Sequence, residues 1–131
     1  MDKNKEILQG NEARLKIKAG LDKASAYVAP TLGPIGMSAI IEFKGLYPLE
    51  ADDGVTILKN LKFKDPYEQF GLQKLRKGAI RTSTEGKDGT ATTTVLTQAL
   101  VSEAFREVGG DSSKIREVKE RLREGLTETI T

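Results

Sequence analysis

The octet Lys87-Asp88-Gly89-Thr90-Ala91-Thr92-Thr93-Thr94 holds one carboxylate, one glycine and four hydroxyls, and apolar residues at helical spacing follow at once (Val95, Leu96, Ala99, Leu100). Such a segment commits the chain to a tight turn that leads directly into a helix. A helix N-terminus leaves N–H groups without intrahelical partners and carries partial positive charge, so it favours anions such as phosphate. Gly89 lets an anion approach the backbone closely, and the threonine hydroxyls can donate to its oxygens. Asp88 can hold a hard cation through oxygen, as Mg²⁺ on nucleotide phosphates prefers. The pattern reads as a nucleotide-phosphate site. Asp and Thr are also favoured N-caps, so plain capping is the competing reading. The octet distinguishes them only if a second phosphate-facing segment exists elsewhere in the chain.

Several chemistries are excluded at once, because the 131 residues contain neither Cys nor His. A thiol nucleophile, a disulfide, a Cys/His zinc site and a histidine general base are all ruled out. Catalysis would have to rest on carboxylates, lysines, hydroxyls and a bound cation. The length suits one domain, or one half of a discontinuous larger one. Twenty-one basic residues nearly balance 19 acidic ones, which argues against a nucleic-acid partner, whose binder carries a clustered basic excess. The basic residues of 106–123 are interleaved with acids throughout and read as a solvated face. No apolar run is long enough to span a membrane, and Met1-Asp2-Lys3-Asn4-Lys5 lacks a signal-type apolar core after it. A cytoplasmic location is expected.

The apolar spacing predicts a mainly α protein with a small β-sheet. Asn11 is expected to cap a helix running to about Ala29, with Ala13, Ile17, Leu21, Ala24 and Val28 on one stripe and Pro30 ending it. A turn-rich loop follows over Thr31-Leu32-Gly33-Pro34-Ile35-Gly36. Residues 38–43 are the best strand candidate, with a turn at Lys44-Gly45 and a short return strand over 47–51. Asp52-Asp53-Gly54 precedes a short helix over about 55–61. Asp65-Pro66 marks the next helix start, with Asp as cap and Pro at the first helical position. That helix runs to about Thr84, with Tyr67 and Phe70 read as core. The helix after Asp88 ends near Val108 at Gly109-Gly110. Asp111-Ser112-Ser113 caps the last helix, whose stripe is Ile115, Val118, Leu122, Leu126 and Ile130. Its outer face offers Glu117 with Arg121 and Arg116 with Glu120 at i,i+4 spacing. The chain ends within helical pattern, with no cap glycine after Ile130, and further partner structure is expected there.

Three loops line up in order: Thr31-Leu32-Gly33-Pro34, Asp52-Asp53-Gly54-Val55 and Asp88-Gly89-Thr90. Together they resemble the bacterial-type (GroEL-like) chaperonin family, specifically the N-terminal half of its equatorial ATPase domain. Gly10-Asn11-Glu12-Ala13-Arg14 is similar to the family's Gly-Asn-Asp-Ala-Arg. Asp65-Pro66-Tyr67-Glu68-Gln69-Phe70-Gly71 resembles its Asp-Lys-Phe-Glu-Asn-Met-Gly, and Thr94-Val95-Leu96-Thr97-Gln98-Ala99 its Thr-Val-Leu-Ala-Gln-Ala. The likeness is collinear from about Lys5 to Thr131 and implies a single unit over 1–131, without the intermediate, apical and second equatorial parts.

The resemblance implies ATP and Mg²⁺ as cofactors, with K⁺ at an accessory site. Thr31, Leu32, Gly33 and Pro34 would line the nucleotide. Gly89, Thr90, Ala91 and Thr92 would wrap its phosphates, and Asp88 would hold the metal. Asp53 matches the aspartate beside the attacking water, where a carboxylate orients and polarises that water. No Walker-type Gly-x-x-x-x-Gly-Lys-[Ser/Thr] occurs, which excludes the ordinary P-loop. The implied partners are other chaperonin subunits in a ring and a co-chaperonin, with unfolded clients reached only through the absent domains. The arm over residues 5–8 and the hairpin around Lys44-Gly45 resemble elements that pair between neighbouring subunits. Four positions depart from the family pattern: Lys87 replaces a glycine, Ala91 a threonine, Asp52 a lysine and Ile35 a lysine. The expected role is Mg-ATP binding and ring contact in assisted folding, with weak hydrolysis by this chain alone. The alternative is a non-hydrolysing assembly module that keeps the fold.

Overall fold

The computed structural model describes residues 7–33, 36–42, 45–86 and 89–130. Five α-helices and one hairpin make up this part of the chain. Helix α1 (Gly10–Val28) passes into a 3-10 turn (Ala29–Thr31), followed by strands β1 (Ala39–Ile41) and β2 (Leu49–Ala51). Then come α2 (Gly54–Asn60), α3 (Pro66–Gly86), α4 (Thr90–Val108), a second 3-10 turn (Ser112–Lys114) and α5 (Ile115–Ile130). The two strands pair antiparallel, with Ala39 opposite Ala51 and Ile41 opposite Leu49.

The element boundaries follow local chemistry. Pro30 lies in the 3-10 turn directly after α1, because proline cannot donate the N–H that an α-helix interior needs. Asp65 Oδ1 accepts the Tyr67 N–H at 2.8 Å and opens α3 at Pro66. Gly109 sits in the left-handed region (φ 56) and closes α4 through its N–H to the Phe105 carbonyl. The N-terminus of α1 departs from expectation. The helix begins at Gly10 and Asn11 lies inside it, so Asn11 is not its cap.

The core lies where α1, α2, α3 and β2 meet. Leu21, Ala24 and Val28 of α1 pack with Ile57 and Leu58 of α2, Leu72, Leu75 and Ala79 of α3, and Ala51 of β2. Helices α1 and α3 cross closely at two glycines. A Cβ on Gly20 would fall on the Glu68 carbonyl, and one on Gly71 would fall on the Ile17 carbonyl. Two ion pairs flank this crossing: Lys16 with Asp65 at 2.8 Å and Lys23 with Glu68 at 2.7 Å. The Lys16 ammonium and two backbone N–H groups hold Asp65 below the usual carboxylate range, and Asp65 in turn raises Lys16.

Two expectations on the surface are corrected. Phe70 is 46% exposed, with Lys74 Nζ standing 5.2 Å from its ring centre, so it is not core. Its position is on the side of α3 opposite Leu72, Leu75 and Ala79. On α5, Arg121 reaches across to Glu107 of α4 rather than along its own helix, and Arg123 pairs with Glu120.

Candidate functional site

Helix α4 begins at Thr90 after Gly89, which takes φ 98 and provides no side-chain cap. An L side chain rarely adopts that φ, so glycine is the residue suited to this sharp entry. The first intrahelical bond runs from the Thr93 N–H to the Gly89 carbonyl at 2.8 Å. The N–H groups of Thr90, Ala91 and Thr92 therefore belong to the first turn, where a helix has no carbonyl of its own to give them.

Helix α2 begins beside it. Gly54 is buried, and a Cβ there would lie 3.1 Å from the Ala91 backbone nitrogen and 3.3 Å from Val28 Cγ1. Glycine at this position allows the two helix starts to approach each other. Asp53 caps α2 with both carboxylate oxygens: Oδ1 accepts the Thr56 N–H at 2.7 Å, and Oδ2 accepts the Thr56 hydroxyl at 3.0 Å. These bonds fix the carboxylate while leaving further lone pairs on each oxygen.

The third wall comes from the segment after α1. Thr31 donates its hydroxyl to the Val28 carbonyl at 2.7 Å, and the Leu32 N–H bonds the Ala29 carbonyl at 3.1 Å. Gly33 takes φ 86, and the Gly36 N–H returns to its carbonyl at 3.1 Å, while the Met37 N–H reaches Pro30 at 2.7 Å. The loop is thus held by its own backbone, and its second glycine, Gly36, sits against the Thr31 carbonyl.

Thr31, Leu32, Gly33, Asp53, Gly89, Thr90, Ala91 and Thr92 line one cleft of about 670 Å³. Of the expected site residues, Pro34 and Asp88 lie outside the described residues, as do the departures Lys87 and Ile35. Asp52, Gly54, Val55 and Thr56 also line the cleft; of these, Thr56 had no place in the sequence reading. An Asp followed three residues later by Thr is a capping pattern that could have pointed to it. The Thr90 side chain is the least expected feature. The residue is 5% exposed, and its hydroxyl has no hydrogen-bond partner among the described residues. A buried hydroxyl left unpaired costs about 1–3 kcal/mol; this oxygen has essentially no accessible surface, so it lies behind the cleft wall and the backbone of Thr90 is what borders the cleft.

This arrangement can hold a polyanion. It offers helix-start N–H groups, the Thr92 hydroxyl and glycine backbone, with the Asp53 carboxylate, fixed by Thr56, on the neighbouring helix start. No group of three or more potential metal-ligating side chains occurs among the described residues.

Residues 25–131 match the model of the TCP-1/cpn60 chaperonin family. The chain belongs to this family. Among solved structures, the chaperonin gp146 from bacteriophage EL of Pseudomonas aeruginosa, crystallised in the presence of ATP-BeFx, is 29% identical with a TM-score of 0.69. That match covers 76% of this chain and 18% of the phage protein. A group III chaperonin in the open state is also 29% identical, with a TM-score of 0.68, over 81% of this chain and 21% of its own length. The chain thus spans about a fifth of the chaperonins it matches. The chaperonin resemblance carried by the ordered loops is borne out, as is the equatorial-type fold of helices with a small antiparallel sheet. Among the described residues, no helix is long and apolar enough to cross a membrane.

Proposed function

We propose that the chain is the N-terminal half of a chaperonin equatorial domain, spanning residues 1–131, and that its cleft binds Mg-ATP. The observation that carries this reading is the meeting of three separate loops around one cleft, beside the first turn of α4. Capping alone accounts for Asp53 but not for three loops lining the same cleft. The ATP-BeFx present with the phage chaperonin supports a nucleotide as the anion.

In this reading the backbone N–H groups of Thr90, Ala91 and Thr92 at the start of α4, together with the Thr92 hydroxyl, donate to phosphate oxygens, with Gly89 beside them. Thr31, Leu32, Gly33 and Pro34 line the rest of the nucleotide. Asp88 would hold Mg²⁺, which neutralises phosphate charge when bound with the nucleotide. Asp53, fixed by Thr56, accepts a hydrogen bond from the attacking water and orients it. Ala91 has no hydroxyl to offer a K⁺ site. The wider role is that of a cytoplasmic ring subunit in ATP-driven protein folding, with clients and a co-chaperonin reached through other domains.

A thermal-shift titration tests the binding claim. A ligand that binds only the folded state stabilises it by about 2.7 kcal/mol at a hundredfold excess over Kd. The melting temperature is expected to rise with Mg-ATP, and the rise to be lost in Asp88→Ala and without metal. No shift at saturating nucleotide would contradict the reading.

A second reading, an assembly module without hydrolysis, is favoured by the hairpin. Ile40 is 78% exposed and Tyr47 95%, on a sheet of only two strands. Open strand edges of this kind invite pairing with another chain. Subunit contact that persists without nucleotide and in Asp88→Ala would favour this reading.

A further inference from the structure

Two of the side chains lining the cleft are carboxylates, Asp52 and Asp53. Among the described residues no lysine or arginine lines it, although the chain carries 21 basic residues. Its attraction for an anion therefore rests on backbone N–H groups and the Thr92 hydroxyl, and works against two negative charges.

The two carboxylates stand differently. Asp53 caps α2, and the Thr56 N–H and hydroxyl meet its charge. Asp52 lies one residue earlier, between β2 and that cap, and is exposed. Among the described residues it has neither a hydrogen-bond nor an ion-pair partner. It holds no part of the fold in place, yet its charge borders the space that the phosphates would fill.

Charge decides what such a cleft admits. A free nucleoside triphosphate brings its full negative charge against Asp52, whereas a divalent cation on the phosphates cancels part of it. Across roughly 8 Å of water at low salt, one unit charge changes the binding of another by about twofold. The effect multiplies with each uncompensated charge, to about fourfold for the charge that a divalent cation removes.

We propose that Asp52 is a specificity-determining residue, which makes the cleft discriminate against metal-free nucleotide in favour of the divalent-metal complex. This rests on the Mg-ATP reading of the cleft and adds a second duty to it. Asp88 would hold the metal, whereas Asp52 acts by repulsion and touches neither metal nor phosphate. Occupancy of the cleft then follows the supply of free divalent cation more steeply than the metal ligand alone would make it.

The test is a ¹H–¹⁵N NMR titration of the full chain at low salt, with ATP in excess Mg²⁺ and with ATP in excess EDTA. The preference for Mg-ATP is expected to be about fourfold smaller in Asp52→Asn than in the parent, with free ATP gaining more than Mg-ATP. Asp52→Lys moves the charge by a further unit and should reduce the preference about fourfold again. Both effects should shrink as salt is raised. Since Asp52 is exposed and caps nothing, both variants should melt near the parent; should one fall, the other carries the test. An unchanged preference in the variants overturns the proposal, as does free ATP that binds none of the three proteins. Weaker Mg-ATP binding by Asp52→Asn also overturns it, because Asp52 would then be a ligand of the metal. Mg-ATP that fails to bind the parent contradicts the nucleotide reading itself, whereas Mg-ATP that binds all three with one preference sinks this proposal alone.

Discussion

Replacing Asp53 by alanine removes the acceptor for both the Thr56 N–H and the Thr56 hydroxyl. Loss of an N-cap costs about 0.5–2 kcal/mol, whereas Asn caps about as well as Asp. Chemical denaturation should therefore place Asp53→Ala below the parent by that amount and Asp53→Asn close to it. An equal fall in both variants would mean that charge, not capping, holds α2. Asn lacks the negative charge that polarises water, so this substitution separates the structural duty of Asp53 from its proposed chemical one. The sequence revealed Asp53 as a turn residue and, through the ordered motifs, as a candidate for catalysis. It did not reveal that Thr56 holds both carboxylate oxygens, because that depends on a side-chain rotamer. The unpaired Thr90 hydroxyl was equally hidden: four threonines stand in the octet, and only packing decides that Thr90 and Thr94 are the buried ones and that Thr94 finds a carbonyl while Thr90 does not.

Among the elements, the α1–α3 crossing depends on Gly20 and Gly71, whose missing side chains let backbone meet backbone. Gly71→Ala would drive a methyl into the Ile17 carbonyl. Overpacking of this kind typically costs about 1–3 kcal/mol, and a lower denaturation midpoint should report it. Gly78, also on α3, has open space around its Cβ position. Gly78→Ala should be neutral or stabilising, by up to about 1 kcal/mol, as alanine is the better helix former. Helix ends were legible because Pro30, Asp65-Pro66 and Gly109-Gly110 act through local geometry. The close crossing was not, since a glycine within a helix says nothing about the neighbour that needs its space. Phe70 illustrates the same limit: its aromatic ring suggests a core position, but its place on α3, opposite Leu72, Leu75 and Ala79, turns it outward. The crossing also carries a pH dependence. Asp65 titrates below the usual carboxylate range because Lys16 and backbone N–H groups favour its charged form. Its contribution to stability is complete above its unfolded pKa, about 3.9, and is lost as pH falls through the lower folded value. The Asp65→Asn variant should therefore lose less stability than the parent between about pH 5 and pH 2. A parallel decline in the two proteins would show that the Lys16 pair adds nothing.

For the whole molecule, the central feature is the convergence of the segments after α1, before α2 and before α4 on one cleft. Local patterns marked each segment as a turn, but no periodicity or spacing brings residues 31–33, 53 and 89–92 together. Their common site was legible only through the ordered chaperonin motifs, and the fold supplies the physical cause. Gly54 lets α2 start against Ala91, and the backbone bonds of residues 29–37 hold the third loop in place. The cleft borders the start of α4, whose buried residues are Thr90 and Thr94. Nucleotide binding by this cleft is most directly tested by a backbone ¹H–¹⁵N NMR titration of the full chain with Mg-ATP. The account predicts saturable shifts at Leu32, Gly33 and Gly89–Thr92, reaching half-saturation at one common concentration and absent in Asp88→Ala. Unchanged resonances at those residues under saturating Mg-ATP, or shifts confined to other surfaces, would contradict it.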